Sequence, residues 1–330
     1  MENQRKFRPD PDAKLMNQVR EVLRFFHYAY RTEQTYCHWI VRFIRFFDSK
    51  VHPRDMGAVE VERFLSWLAS ERQVSAATQK QALNALVFLY RHVLDIDLGK
   101  SIRPRLAIKG ARPPVVMTRE ETQQVLQRIS GTHGLMARLM YGTGLRLMEC
   151  VRLRVQDVDF GQGRVYVRLG KGGKDRTTCL PIGLASELPE HIERVRGLHD
   201  EDLAAGFGDV YLPQALARKY PRAGREFGWQ YVFPAKKRSI DPRGGKEHRH
   251  HVMESGLQKA VKLAGRRAGL SKRVTCHTLR HSFATHLLER GTNIRVLQEL
   301  LGHADVKTTE IYTHVIQREA AGLVSPLDDL

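Results

Sequence analysis

Between residues 276 and 314 the chain reads CHTLRHSFATHLLERGTNIRVLQELLGHADVKTTEIYTH. His277 and Arg280 stand as H-x-x-R, a Leu-Gly-His triplet closes at His303, and Tyr312 follows nine residues on. A tyrosine hydroxyl is a covalent nucleophile, and histidine moves protons near neutrality. Arginine forks onto non-bridging phosphate oxygens and keeps its charge at any working pH. Such a set suits phosphoryl transfer to tyrosine without an acidic metal-binding pair. Each signal is weak alone: H-x-x-R arises by chance, and a C-terminal tyrosine on an apolar helix is most often core.

Two upstream stretches complete the set. In GTGLRLMEC, Arg146 follows the turn Gly142-x-Gly144 and opens a short helix, with Glu149 three residues on to brace its guanidinium from behind. RVYVRL (164–169), the turn-rich GKGGKD and RTTCLPI then read as a β-hairpin with Lys171 at its tip. By themselves Arg146 reads as a surface arginine and Lys171 as a solvated lysine. A P-loop is excluded, because Gly172 stands where Ser or Thr is required and the preceding glycine spacing fails. HTLRH places His277 and His281 at i, i+4, but Thr278 occupies the position where a zinc protease needs glutamate.

A length of 330 residues suggests two domains, each with a substantial core. Fifty-four Lys+Arg against 36 Asp+Glu give a net charge of +18, and the pI is near 10.0. That excess favours a polyanionic partner through counterion release. No apolar run has the length of a spanning helix, so no membrane partner is expected. MENQRKFRPDPD lacks the apolar core of a signal peptide, from which a cytoplasmic location is expected. Cys37, Cys150, Cys179 and Cys276 have no C-x-x-C spacing, which argues for reduced thiols and against a zinc ribbon.

Residues 1–98 read as a helical bundle. One helix carries Leu15, Val19, Val22, Leu23 and Phe26 on a single face; a second is expected to begin after Thr32, with Tyr36, Trp39, Ile40, Phe43 and Phe47. A third runs over about 59–72 with Phe64, Leu65 and Leu68 inward, and Ser75 caps a fourth with Leu83, Leu86, Val87, Leu89 and Tyr90. Arg20, Arg24, Arg31, Arg42, Arg45, Lys80 and Arg91 are left on polar faces, for phosphates or for water alone. Residues 99–114, GKSIRPRLAIKGARPP, form a basic linker, and Thr118 with Glu121 makes a capping box that opens a second domain over 115–330. Residues 198–252 are the least regular part and read as a surface insertion. Adjacent histidines rarely share one ion, so His248, His250 and His251 are not taken as metal ligands. The helix after it exposes Lys259, Lys262, Arg266 and Arg267, a face suited to a major groove.

In the order Arg146, Lys171, His277, Arg280, His303, Tyr312, the chain resembles the tyrosine recombinase (phage integrase) family over nearly its whole length. The carrying segments are GTGLRLMEC, GKGGKDR, HTLRHSFATHLL and LLGHADVKTTEIYTH. The resemblance implies a mainly α fold with a small β-hairpin (α+β). A SAM-like core-binding bundle and a catalytic domain would together form a C-shaped DNA clamp. It implies Tyr312 as nucleophile forming a 3′-phosphotyrosine, with Arg146 and Arg280 on the phosphate. Lys171 would be the acid for the 5′-oxygen, His277 the acceptor of the tyrosine proton and His303 a donor to the phosphate. Neither cofactor, metal nor ATP is implied, and the expected assembly is a homo-tetramer on DNA. The insertion, with LPQALARKYPRA, FGWQYVFP and HRHH, and the closing GLVSPLDDL are most similar to integron integrases. Those enzymes join a double-stranded attachment site (attI) to a folded single-stranded cassette site (attC). On that reading Trp229, Pro242, His250 and His251 offer surfaces to unpaired bases, and Lys236, Lys237 and Arg238 meet phosphates; otherwise Trp229 is core and the histidines are solvated. The tail at 313–330 packs on its own core or on a neighbouring protomer, and the sequence does not choose.

Four alternatives stand beside this reading. A Xer-type or phage integrase acting on duplex sites would lack the insertion. A metal-dependent tyrosine nickase needs His-hydrophobic-His, where this chain has His248-Arg249-His250. A non-catalytic DNA-binding regulator would not need the full set of six residues. A type IB topoisomerase would relax supercoils without joining two sites.

Overall fold

The computed structural model describes residues 7–99, 104–106, 114–168 and 175–312. The chain divides into two compact units, one within residues 1–112 and one within 113–330. The described residues are mostly helical with two small sheets.

The first unit holds α1 (Leu15–Phe25), α2 (Tyr30–Phe46), α3 (Ala58–Ser70) and α4 (Ala76–Phe88), the last running into a π-helical turn at Leu89–Val93. Apolar residues recurring at helical spacing close its core: Val19, Val22 and Leu23 meet Trp39, Ile40, Phe43, Phe64, Leu65, Leu68 and Leu86. Ser75 caps α4 by accepting from the Thr78 amide at 3.2 Å. Three expectations need correcting. The second helix starts at Tyr30, so Thr32 lies inside its first turn. Val87 is exposed, because Ala82, Ala85 and Leu86 form the inward stripe of α4 and the small residues face the neighbouring helices. Arg24 is engaged by the buried Glu33 at 3.1 Å and is not a free phosphate ligand.

In the second unit Thr118 and Glu121 make their reciprocal capping box at the start of α5 (Arg119–Gln127). Helix α6 (Gly131–Thr143) ends on Gly144, and α7 (Leu147–Val151) follows. Strands β1 (Val158–Asp159), β2 (Arg164–Val167) and β3 (Arg176–Cys179) form an antiparallel sheet, with Arg164 opposite Cys179 and Val167 opposite Arg176. Helix α8 (Glu187–Ala204) contains residues 198–204, which therefore do not belong to an irregular insertion. Next come α9 (Gln214–Lys219), the short hairpin β4 (Ser239–Ile240) and β5 (Glu247–His248), α10 (Glu254–Arg267), α11 (Cys276–Glu289), α12 (Ile294–Leu301) and α13 (Lys307–Glu310). The main core gathers Leu135, Met136, Leu139 and Met140 of α6 with Val165, Val232, Phe233, Leu257, Val261 and Leu279. A smaller cluster of Val210, Leu212, Ala223 and Tyr231 supports residues 205–234. No helix among the described residues is long and apolar enough to cross a membrane.

Candidate active site

The turn between α6 and α7 sets the frame. Gly144 adopts φ +66°, and a Cβ there would lie 2.5 Å from the Phe283 ring, so glycine is required twice over. This turn aims the Gly144 carbonyl at Arg280, whose Nη1 donates to it. The same guanidinium donates through Nη2 to the Leu301 carbonyl at 2.6 Å, so α11 is tied to the ends of both α6 and α12. Only 4% of Arg280 is exposed; burial, with the nearby Arg146 charge, brings its pKa down to about 10, and it stays cationic at neutral pH.

Arg146 is the N-cap of α7. Glu149 accepts from its backbone N–H and from its Nη1, both at 2.8 Å. Arg176, at the start of β3, grips the same carboxylate from the other side at 3.0 and 2.6 Å and donates through Nε to the Leu300 carbonyl at 2.9 Å. Burial alone would raise the Glu149 pKa, but the bonds and charges of Arg176 and then Arg146 hold it at about 2. Three guanidiniums therefore share one carboxylate, leaving the cluster positively charged and able to receive a phosphate diester.

The C-terminal part of the site is built on α11 and the segment after α12. His303 Nε2 lies 3.2 Å from Arg280 Nη2. A guanidinium can only donate, so Nε2 accepts, and Nδ1–H donates to the Thr309 hydroxyl at 2.9 Å. The Tyr312 ring stacks over His303 at 6.4 Å between centroids and is 1% exposed. Its hydroxyl meets His281 Nδ1 at 3.0 Å. Burial raises the Tyr312 pKa, while the Arg280 and Arg146 charges pull against that rise. His277, one turn before His281, is exposed at the start of α11; partial desolvation and the charges of Arg280 and Arg146 lower its pKa.

Arg146, Glu149, Arg280, His303 and Tyr312 thus converge, with His277 at the rim. Lys171, the linker from 107 to 113 and the tail from 313 lie outside the described residues. Sequence reasoning passed over Arg176 and Thr309, and weighed His281 only as a zinc ligand. Arg176 closes GKGGKDR, and His281 completes H-x-x-R-H, so both stood next to quoted motifs.

The expected DNA-binding residues divide. Lys259, Lys262, Arg266 and Arg267 are exposed along α10, as are Lys236, Lys237, Pro242 and His250 around the β4–β5 hairpin. His251 is not available: it is 5% exposed, meets the Val252 carbonyl at 2.8 Å and packs edge-on against Tyr231. Trp229 is half-buried against the small cluster, and its carbonyl accepts from Arg154 at 2.7 Å. Arg238 is occupied by Asp202 at 2.8 Å and Glu247 at 3.1 Å. His251 and Arg238 are cases of local packing claiming a group that reads as surface in the sequence. No three His, Cys, Asp or Glu side chains among the described residues come together as a metal site.

Two family models match: the phage integrase family over residues 115–319 and the phage integrase N-terminal SAM-like domain over residues 15–100. The chain belongs to the phage integrase family, the tyrosine recombinases, enzymes that transfer DNA strands. It is 49% identical over 325 residues to an integrase/recombinase of Escherichia coli, covering 98% of this chain and 95% of that one. It is 35% identical over 257 residues to the tyrosine recombinase XerD of Mycobacterium leprae, covering 73% of this chain and 71% of the relative. Among solved structures, XerH bound to its difH substrate matches with a TM-score of 0.57 at 20% identity, covering 95% of this chain and 85% of that one. A lambda integrase dimer bound to a core site matches with a TM-score of 0.57 at 18% identity, covering 94% and 96%. At these identities the likeness is one of fold.

Proposed function

We propose that this recombinase cleaves and rejoins DNA through a phosphotyrosine on Tyr312. The observation that carries the reading is the guanidinium cluster of Arg146 and Arg280 beside a buried tyrosine. The Tyr312 oxygen attacks the scissile phosphorus, the new O–P bond forms, and the P–O5′ bond breaks. Arg146 and Arg280 neutralise the non-bridging oxygens as charge builds. His277 takes the phenolic proton, and Lys171 delivers one to the departing 5′-oxygen. When Arg280 turns to the phosphate it releases His303 Nε2. Thr309, whose hydroxyl can donate as well as accept, then supports the tautomer that donates from Nε2 to the phosphate. The phosphotyrosyl ester keeps the energy of the broken bond, so rejoining needs no nucleotide.

Within the family the reading is an integron-type integrase that joins a duplex attachment site to a folded single-stranded cassette site, working as a homo-tetramer on DNA. Residues 205–252 support it. Residues 210–231 have a small core of their own, and the segment exposes Ile240 (68%), Tyr211 (47%) and Tyr220 (48%), as well as Pro242 and His250. Such apolar and ring surfaces suit unpaired bases, whose π-faces are accessible. The Xer-named relatives favour a second reading, recombination between two duplex sites. The test is recombination in cells between a duplex site and a cassette hairpin delivered as a single strand. Products from the single-stranded donor support the integron reading; activity confined to paired duplexes supports the second.

A further inference from the structure

Tyr312 sits in a pocket that no phosphate can enter without displacement. Phe283, Ala284, Leu297 and Leu301 bury its ring, with Tyr141, Leu287 and Leu288 packed around them. The hydroxyl is satisfied from one direction, by His281 Nδ1 at 3.0 Å, with the two rings 5.6 Å apart and inclined by 51°. His281 is held by its place on α11, between the exposed His277 a turn earlier and the core-facing Phe283 and Ala284. The phenol is the donor in this bond as long as the imidazole is neutral.

We propose that His281 is a positioning residue for Tyr312, which it keeps docked and protonated until DNA binds. The inference rests on Tyr312 being the nucleophile and adds the residue that holds it. Burial, then His277, then Arg280 push the His281 pKa down to about 4, whereas burial raises that of Tyr312. His281 is therefore a poor acceptor for complete proton transfer, and the contact stores the phenol instead of activating it. Attack requires the hydroxyl to leave Nδ1 and meet another acceptor, the role given above to His277. A nucleophile held in this way does not act on stray phosphates.

The test uses the full chain without DNA, treated with tetranitromethane, with Tyr312 nitration mapped by mass spectrometry. His281→Asn keeps an acceptor oxygen at the position of Nδ1, and His281→Leu removes it. The expected result is that wild type and His281→Asn stay protected while His281→Leu is nitrated roughly fivefold to tenfold faster, the scale of one neutral hydrogen bond. Equal protection in all three proteins would overturn the proposal, as would equal exposure of the Asn and Leu variants. Should the Leu variant fail to fold, His281→Phe keeps the ring volume without the acceptor and carries the same comparison. In parallel, Tyr312→Phe is tested for a covalent adduct on DNA with a sulfur at the 5′-bridging position. An adduct there removes Tyr312 as nucleophile and with it the basis of the proposal. Loss of the adduct together with flat nitration rates sinks the positioning role alone.

Discussion

Arg176 holds both oxygens of Glu149, at 3.0 and 2.6 Å, from a strand that is 27 residues away in sequence. Removing the carboxylate charge strands three guanidiniums in a largely buried place. Glu149→Gln is expected to lose roughly 3 kcal/mol of stability at neutral pH. The pH dependence has a definite sign. The folded-state pKa is about 2 against an ordinary 4.5, so the contribution is fully present above 4.5 and is lost as pH falls toward 2. Urea unfolding of both proteins from pH 7 to pH 3 should show the gap narrowing below 4.5. A gap independent of pH would mean that Glu149 is not the charge at work.

Tyr312→Phe keeps the ring that fills the pocket between Phe283 and Leu301 and removes only the hydroxyl. It should bind DNA as wild type does and form no SDS-resistant complex. Gel analysis after SDS quenching reads this directly, and a persistent adduct would move the nucleophile elsewhere, with Tyr141 next to be examined.

Lys171→Ala should cleave normal DNA poorly. A substrate with sulfur at the 5′-bridging position needs no protonation of its leaving group, and cleavage of it should recover. Equal defects on both substrates would take the acid role from Lys171.

At the β4–β5 hairpin the exposed and the structural residues should part company. His250→Ala should weaken binding to a hairpin with extrahelical bases by roughly 1–3 kcal/mol, the worth of one stacked base, and leave paired duplex binding unchanged. Trp229→Ala should instead lower the melting temperature and reduce both affinities together. Fluorescence anisotropy on the two DNAs with a thermal melt separates these cases; a His250 variant that loses both substrates equally would refute base recognition there.

Local geometry explains what was legible in the sequence. Arg146 and Glu149 are three residues apart at a helix start, so their contact follows from helix geometry. Ser75, the Thr118–Glu121 box and the antiparallel hairpin are likewise short-range. Arg176 on Glu149 and His281 on Tyr312 depend on how separate elements pack, across 27 and 31 residues, and no spacing rule reaches them. H-x-x-R-H put two histidines on one face of α11, but only the packing of Tyr312 decides which of them meets it. FGWQYVFP is apolar without a helical or alternating period, which is why Trp229 could be read either as surface or as support.

The cluster of Val210, Leu212, Ala223 and Tyr231 is separate from the larger core and is joined to it by backbone bonds such as Val155 N–H to the Gln230 carbonyl at 3.0 Å. None of its four residues belongs to the main core or to the cluster around Tyr312, so substitutions within it should leave Arg146, Arg280 and Tyr312 in their places. On the proposed reading of residues 205–252 as the part that reads the DNA, recognition and chemistry can therefore change independently.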